Sequence, residues 1–392
     1  MDWVYLIEVL VGGLMSGVMY SLVAIGFVLI YKSSGIFNFA QGTMLLFASL
    51  TFVKMTENGI DFWTSLFIAA GIMVIFGVVT ERYVIRPLAN QDLLALFMAT
   101  VGLATFQEGF SQFIWDSDVH GLQMSKFLDI GLLDPAPIFM SDHVPWLDIL
   151  IPKFDIFASL VAGSLIVVLA FFFQKTKTGL SLRAVSDDHM AAMAVGIPLQ
   201  TVWAVVWAVT GIIALVAGLL WAERVSVSFT LIEAVMKALP VILIGGLTSI
   251  PGAIVGGLVI GVGEKLGEIY LADVFGGQGI ELWFAYFMAL MFLVFRPQGM
   301  FGEKLIERVK NELKKECKIE GITFLKLYNI PKALPKLNNL QYDITPSETK
   351  LKDGIFLAGD LLLNGSLNAA ILAGEKAALG VLEALKNSVV LG

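Results

Sequence analysis

Residues 5–31 read YLIEVLVGGLMSGVMYSLVAIGFVLIY, with Glu8 the single carboxylate and no lysine or arginine among them. A helix that crosses about 30 Å of hydrocarbon at about 1.5 Å per residue needs about 20 mostly apolar residues, and this run is long enough. It lacks a basic leading segment and continues past the ~7–15 residues of a signal-peptide core, so it predicts a first membrane helix and not a cleavable leader. Working outward, runs of the same kind lie near 36–54, 62–81, 92–114, 155–174, 200–221, 252–270 and 280–295, with a shorter one near 232–247. The fold class expected is all-α and polytopic: a helical bundle of about 8–9 transmembrane segments.

Composition agrees. Of 392 residues, 57% are hydrophobic and 15% charged, against about 25% charged in an ordinary soluble domain. Mean hydropathy is +0.82. Charge is scarce up to about Pro297 and frequent after Gly302, which divides the chain into 1–302, a charged helical linker over 303–320, and a soluble stretch over 321–392. The net charge of −7 names no partner. No basic cluster with interleaved aromatics lies outside the apolar runs, so nucleic acid is not an expected partner. The single cysteine, Cys317, excludes an intramolecular disulfide and a cysteine-cluster metal site. His120, His143 and His189 all fall in loops, and the apolar part shows no nucleophile–base set and no metal-ligand spacing. The expectation is a non-enzyme without a cofactor or metal of its own.

Lysine and arginine in short loops stay on the cytoplasmic side. Lys32, Arg82 with Arg86, Lys175 with Lys177 and Arg183, and Arg296 with Lys304 share one side only if 232–247 also crosses. That arrangement has nine crossings, the N-terminus outside, the C-terminus cytoplasmic, and the acidic loop 116–154 outside.

Polar groups at membrane depth face the bundle interior or a wet path. Asn38 and Gln41 at the start of the second run and Glu108 in the fourth are the candidates for a translocation path. Asn38 and Gln41 equally suit a helix-capping role, and Glu108 suits hydrogen bonding to a neighbouring helix. Gln107 interrupts the fourth run beside Glu108, and Glu264 lies in the glycine-rich run. Lys237 reads as a side chain that reaches an interface or pairs with Glu233 one turn away. Gly245, Gly246, Ser249 and Gly252 mark a tight packing turn, continued by Gly256 and Gly257. Small faces let helices approach closely in lipid, so this glycine-rich helix is expected at the centre of the bundle.

The loop at 175–197, KTKTGLSLRAVSDDHMAAMAVGI, carries more information than a solvated connection needs. Gly179 is expected to end one helix, and Arg183 to Val195 to form a short helix across the cytoplasmic face. Gly196 then supplies a positive-φ stop, and Pro198 bars continuation. Ala191, Ala192 and Ala194 give that helix a small apolar surface flanked by Arg183, Asp187 and Asp188.

This segment resembles the Arg-Ala…Asp…Ala…Gly-Ile loop of the LivH/LivM-type permeases, a branch of the ATP-binding-cassette (ABC) importers for branched-chain amino acids. Three other stretches are similar to the same family: IFNFAQG at 36–42, KALPVILIGGLTSIPGAIVGG at 237–257, and RPQGMFG at 296–302. The resemblance implies that Arg183, Ala184, Asp187, Asp188, Ala192, Gly196 and Ile197 form the segment on which ATPases dock. It also implies the partners: a second permease subunit of the same family, two cytoplasmic ABC ATPases and an extracytoplasmic substrate-binding protein, in the cell inner or plasma membrane. No Walker Gly-x-x-x-x-Gly-Lys-Ser/Thr occurs in the chain, so the ATP is used by the partner subunits. A stand-alone secondary transporter is the alternative of a different class, and it calls for more buried ionisable groups than these runs carry.

From 303 on the pattern is foreign to such permeases. DGIFLAGD at 353–360, NGSLNAA at 364–370 and GEKAA at 374–378 resemble the last part of FAD-dependent amine-oxidase and phytoene-desaturase-like oxidoreductases. That likeness implies a small α/β appendage with Gly359, Asp360 and Ser366 at a vestigial cofactor site. The Gly-x-Gly-x-x-Gly loop that cradles the pyrophosphate in such enzymes is missing, so a working FAD site, and a membrane-anchored oxidoreductase, are not expected.

Overall fold

The computed structural model describes residues 3–301, apart from 89–90, 92, 134–136, 140–148, 188–191, 194 and 276–278, and beyond them 350–352, 355–356, 376 and 378–379. The apolar runs close their own backbone hydrogen bonds as helices, since lipid offers no partner for them. In chain order these are α1 (Trp3–Ser34), α2 (Gln41–Glu57), α3 (Phe62–Leu88), α4 (Leu93–Trp115), α5 (Lys153–Lys175), α6 (Lys177–Asp187), α7 (Leu199–Val225), α8 (Thr230–Met236), α9 (Ala238–Gly245), α10 (Ile250–Phe275) and α11 (Ile280–Phe295). Among the described residues, α1, α3, α5, α7 and the stretch Ile250–Leu271 of α10 are long and apolar enough to cross a membrane. The chain divides into two units, 1–304 and 305–392. In the second, Lys350–Lys352 pairs antiparallel with Ile355–Phe356. Gly359, Asp360 and Ser366 lie outside the described residues.

Within the first unit, the centre of α1 (Leu22 to Ile30) and most of α2 are buried, with Trp207 of α7 among the largest enclosed side chains. The outer helices turn apolar side chains outward: Phe67 and Ile75 on α3, Val167 and Phe171 on α5, Leu290 and Val294 on α11. Lipid solvates those faces. Local chemistry sets several ends. Asp61 accepts from the N–H groups of Trp63 and Thr64 and so starts α3. Near its far end α3 contains a π-type turn over Glu81–Ile85. That turn brings Arg86, five residues on, into a two-pronged pair with the fully buried Glu81, at 3.0 and 2.6 Å.

α10 is central, as its glycines predict. On one side it meets α1: a Cβ on Gly13 would lie 2.7 Å from Val262 Cα, and one on Gly17 2.7 Å from the Gly257 carbonyl oxygen. Ser21 donates across this seam to the Ile254 carbonyl at 3.1 Å. On the other side Gly256 lies against the Val241 backbone and Gly245 against Gly252. Gly246 turns the chain between α9 and α10 at φ +104°, a conformation open to glycine. Ser249 accepts from the Gly252 N–H at 3.0 Å at the start of α10, and Met300 and Phe301 donate to the carbonyls of Ile244 and Gly245.

The helix ends sort by charge. Lys32, Gln174, Arg183, Ser249 and Phe301 line one cavity at one end. At the opposite end Lys54, Glu57, Asp116 and His120 interlock, and His120 exchanges backbone hydrogen bonds with Val227. Arg224 is paired there with Asp155 and Ser16. His120 lies beyond the end of α4, with Nδ1 2.9 Å from Glu57 and Nε2 3.0 Å from Asp116. Burial is the largest influence on its pKa and lowers it. The hydrogen bonds to Asp116 and Glu57, with the Glu57 charge, outweigh that and hold it above the ordinary 6.5. A raised histidine pKa contributes stability that is complete below the unfolded value and is lost as pH rises through the folded one. The thermal midpoint of the detergent-solubilised protein should therefore fall as pH is raised through that window, and the slope should vanish in His120→Gln.

Candidate translocation and coupling sites

The second apolar run begins as a turn. Residues 36–40 are not helical, and α2 starts five residues later than the pattern predicts, at Gln41. Gly35 reverses the chain, and an aromatic ladder fixes the turn: Phe27 stacks on Phe37 at 5.1 Å, Phe37 meets Phe39 at 4.6 Å, and Phe39 meets Phe97 of α4 at 4.9 Å. Asn38 sits within this turn. Its Oδ1 accepts from the Ala40 N–H at 3.1 Å, and its Nδ2 donates to Gln41 Oε1 at 3.2 Å. Thr43 donates to Gln107 Oε1 of α4 at 3.0 Å. Asn38, Gln41, Thr43, Gln107 and Ser111 are all enclosed.

This cluster leaves two amide N–H groups open. Gln41 Nε2 and Gln107 Nε2 are buried without a protein acceptor among the described residues. Gln41 fits against α1 because Gly26 has no side chain: a Cβ there would lie 2.7 Å from Nε2. The Thr43–Gln107 link had no sequence signal beyond a polar interruption of the fourth run, since the partners are 64 residues apart. Glu108 is half-buried on α4, with no hydrogen-bond or ion-pair partner among the described residues.

The short run 232–247 is two helices, α8 and α9, that meet at Lys237. Its side chain does not pair with Glu233. It reaches α10 and lies 2.7 Å from Glu264 Oε1.

The segment after α5 departs from expectation in its boundaries. α5 ends at Lys175, and Thr176, extended, separates it from α6. Gly179 does not end a helix. It lies inside α6, where the missing side chain lets the helix fold back onto the Phe173 backbone. Arg183 is exposed and donates to the Gln174 carbonyl at 3.2 Å, satisfying one of the free carbonyls at the end of α5. Ala184 packs half-buried on the core, and Asp187 is the last described residue of α6. The Asp187 side chain and all of Asp188 lie outside the described residues. Ala192 is buried against the bundle, so it does not offer an outward apolar face, whereas Met193 and Val195 are exposed. Gly196 has φ +85°, as the stop requires, and Ile197 donates back to the Ala192 carbonyl at 3.0 Å.

The chain shares 29% identity over 314 residues with the high-affinity branched-chain amino acid transport system permease protein BraD of Pseudomonas aeruginosa, covering 77% of this chain and 98% of that one. It shares 26% over 321 residues with the corresponding permease protein LivH of Escherichia coli K12, covering 79% and 99%. With the probable branched-chain amino acid transport permease protein LivH of Methanocaldococcus jannaschii the identity is 28% over 317 residues, covering 75% and 92%. The family described as the permease component of branched-chain amino acid transport systems matches residues 9–295. That span takes in the turn at Asn38, the glycine seam of α10 and the segment from Arg183 to Ile197, and the chain belongs to this family.

Proposed function

We propose that this chain is the membrane-spanning permease subunit of an ABC importer and forms half of the translocation path for branched-chain amino acids or a similar small polar solute. The observation that carries the reading is the family match along 9–295. In this reading a second permease of the same family completes the path, two cytoplasmic ABC ATPases dock on 183–197, and an extracytoplasmic protein delivers the solute. Met193 and Val195 supply the apolar contacts of that docking surface, with Arg183 beside them.

The bundle crosses the membrane nine times, with α8 and α9 together making one crossing, the N-terminus outside and the C-terminus cytoplasmic. The clustering of Lys32 and Arg183 at one end supports that orientation, and the cations at the other end, Lys54 and Arg224, are held in ion pairs with Asp116 and Asp155. Residues 1–302 form the transport domain, 303–320 a charged linker, and 321–392 an appendage without a working flavin site. Asn38, Gln41 and Glu108 face the path when it opens. The amide N–H of Gln41 and the carboxyl of Glu108, neither with a partner among the described residues, support this.

Reconstituted with its ATPases and binding protein, the chain should import leucine only when ATP is present. Uptake by the chain alone, without ATP, would favour a secondary transporter instead. Cysteines placed at 38, 41 and 108 should react with a water-soluble thiol reagent during turnover, and inertness at all three would count against the path assignment. The purified chain should show no stoichiometric flavin absorbance, and a flavin spectrum would overturn the reading of the appendage.

A further inference from the structure

The helix break at Lys237 coincides with two ionisable groups inside the membrane unit. Glu264 stands fourteen residues into α10, about 21 Å along the helix at about 1.5 Å per residue, and so within an apolar layer about 30 Å thick. Its side chain is 8% exposed and that of Lys237 15%. The pair is chemically incomplete. An ammonium has three N–H donors, and among the described residues Lys237 meets one acceptor, Glu264 Oε1 at 2.7 Å. Glu264 Oε2 is buried with no donor among the described residues. A buried ion pair that leaves such valences open is a poor brace, because the desolvation cost of both charges is offset only when their remaining hydrogen bonds are made. The glycine contacts between α9 and α10 already hold these helices together.

Resting on the permease reading above, we infer that Lys237 and Glu264 form a recognition site for the ammonium and carboxylate of an amino acid zwitterion. The ammonium of the solute donates to Glu264 Oε2, and its carboxylate accepts from the free N–H groups of Lys237 Nζ. A solute carrying both groups on one carbon supplies both missing partners side by side, with no net charge moved into the apolar layer. The surroundings fit. Tyr286 Oη donates to the Met236 carbonyl at 2.9 Å and fixes the end of α8 one residue before Lys237. Glu233, one turn earlier, is exposed, and Lys265 and Glu268 form a half-exposed pair at 2.6 Å next to Glu264 on α10. Charged side chains thus lead from the pair to the surface, whereas the exposed mid-helix positions named on α3, α5 and α11 are apolar.

The test uses the full transporter, reconstituted with its ATPases and binding protein. Lys237→Met and Glu264→Gln should each lower ATP-driven leucine uptake at least about tenfold, as expected for losing a hydrogen bond to a charged group. The double variant Lys237→Met/Glu264→Leu leaves no charge unpaired. It should melt like the parent yet remain as impaired as the single variants. Uptake in the double variant within about twofold of the parent would reduce the pair to a brace and overturn the inference.

A second arm leaves the pair intact. A cysteine replacing Glu233 should react more slowly with a water-soluble thiol reagent when leucine is present. Leucinamide, which lacks the carboxylate, and 4-methylpentanoate, which lacks the ammonium, should not slow it. Equal protection by all three, or protection by none, sinks the site. If the parent complex imports no leucine, it is the permease reading that fails. The labelling arm still reports on the site, because it measures occupancy and not uptake.

Discussion

Gly257→Leu should leave little folded protein in the membrane. A Cβ at 257 would run into the Ser21 hydroxyl and lie 2.7 Å from the Gly17 carbonyl oxygen and 2.9 Å from the Ser21 nitrogen. Those are main-chain atoms of α1 and cannot swing aside as a flexible side chain can. Overpacking a tight core costs about 1–3 kcal/mol and occasionally more. Here α1 must move as a body, so the loss should reach at least about 3 kcal/mol. The seam is held by van der Waals contact and the Ser21–Ile254 hydrogen bond described above, in a lipid setting where no hydrophobic force rescues a loosened pair of helices. Gly71→Leu on α3 is the control, since nothing lies within 4 Å of its Cβ direction. Thermal unfolding in detergent reads both variants. A midpoint for Gly257→Leu within a few degrees of the parent would refute the seam as the element that holds α10.

The second large effect should separate folding from transport. Gly196→Val places a β-branched residue at φ +85°, a region that costs an L-residue about 1–2 kcal/mol. Among the described residues nothing lies within 4 Å of a Cβ there, so the strain should be relieved locally and the bundle should survive. On the proposed docking of ATPases at 183–197, what is lost is the register of Met193 and Val195 against that partner. ATP-driven uptake should fall roughly 5–30-fold, since a shift of 1–2 kcal/mol changes the population of a competent arrangement by that factor. ATP hydrolysis should continue without transport. Arg183→Glu should act in the same direction, by freeing the Gln174 carbonyl and reversing a surface charge. Normal coupled uptake in both variants would remove this segment from the coupling route.

How much of this was legible in the sequence differs by element. The limits of α4, α5 and α11 lie within two residues of the apolar runs, because those helices face lipid on one side and the bundle on the other, and length decides both; α3 runs seven residues further, to Leu88, through its π-type turn. α2 was misjudged at its start because Phe37 and Phe39 are as apolar as any helix residue. Only their ring contacts with Phe27 and Phe97 show why they belong to a turn. The centrality of α10 was readable from its glycines. The partner of Lys237 was not: Glu233 is close in sequence, while Glu264 becomes near only when α9 and α10 close on each other. Gly179 misled because glycine serves equally to end a helix and to let one pack closely. Gln107 was visible as an anomaly, but its link to Thr43 depends on how α2 and α4 are packed.

The seam between α1 and α10 joins two helices that lie far apart along the chain. Gly13 touches Val262, and at ribosomal rates of about 5–20 residues per second that contact waits roughly 12–50 seconds after Gly13 emerges. During that interval α1 has to persist in the bilayer with its glycine face uncovered, and its nearly charge-free composition makes such waiting tolerable. A nascent chain stalled before α10 would expose the same face to membrane proteases. The glycine face of α1 is thus covered late, once α10 has joined the bundle.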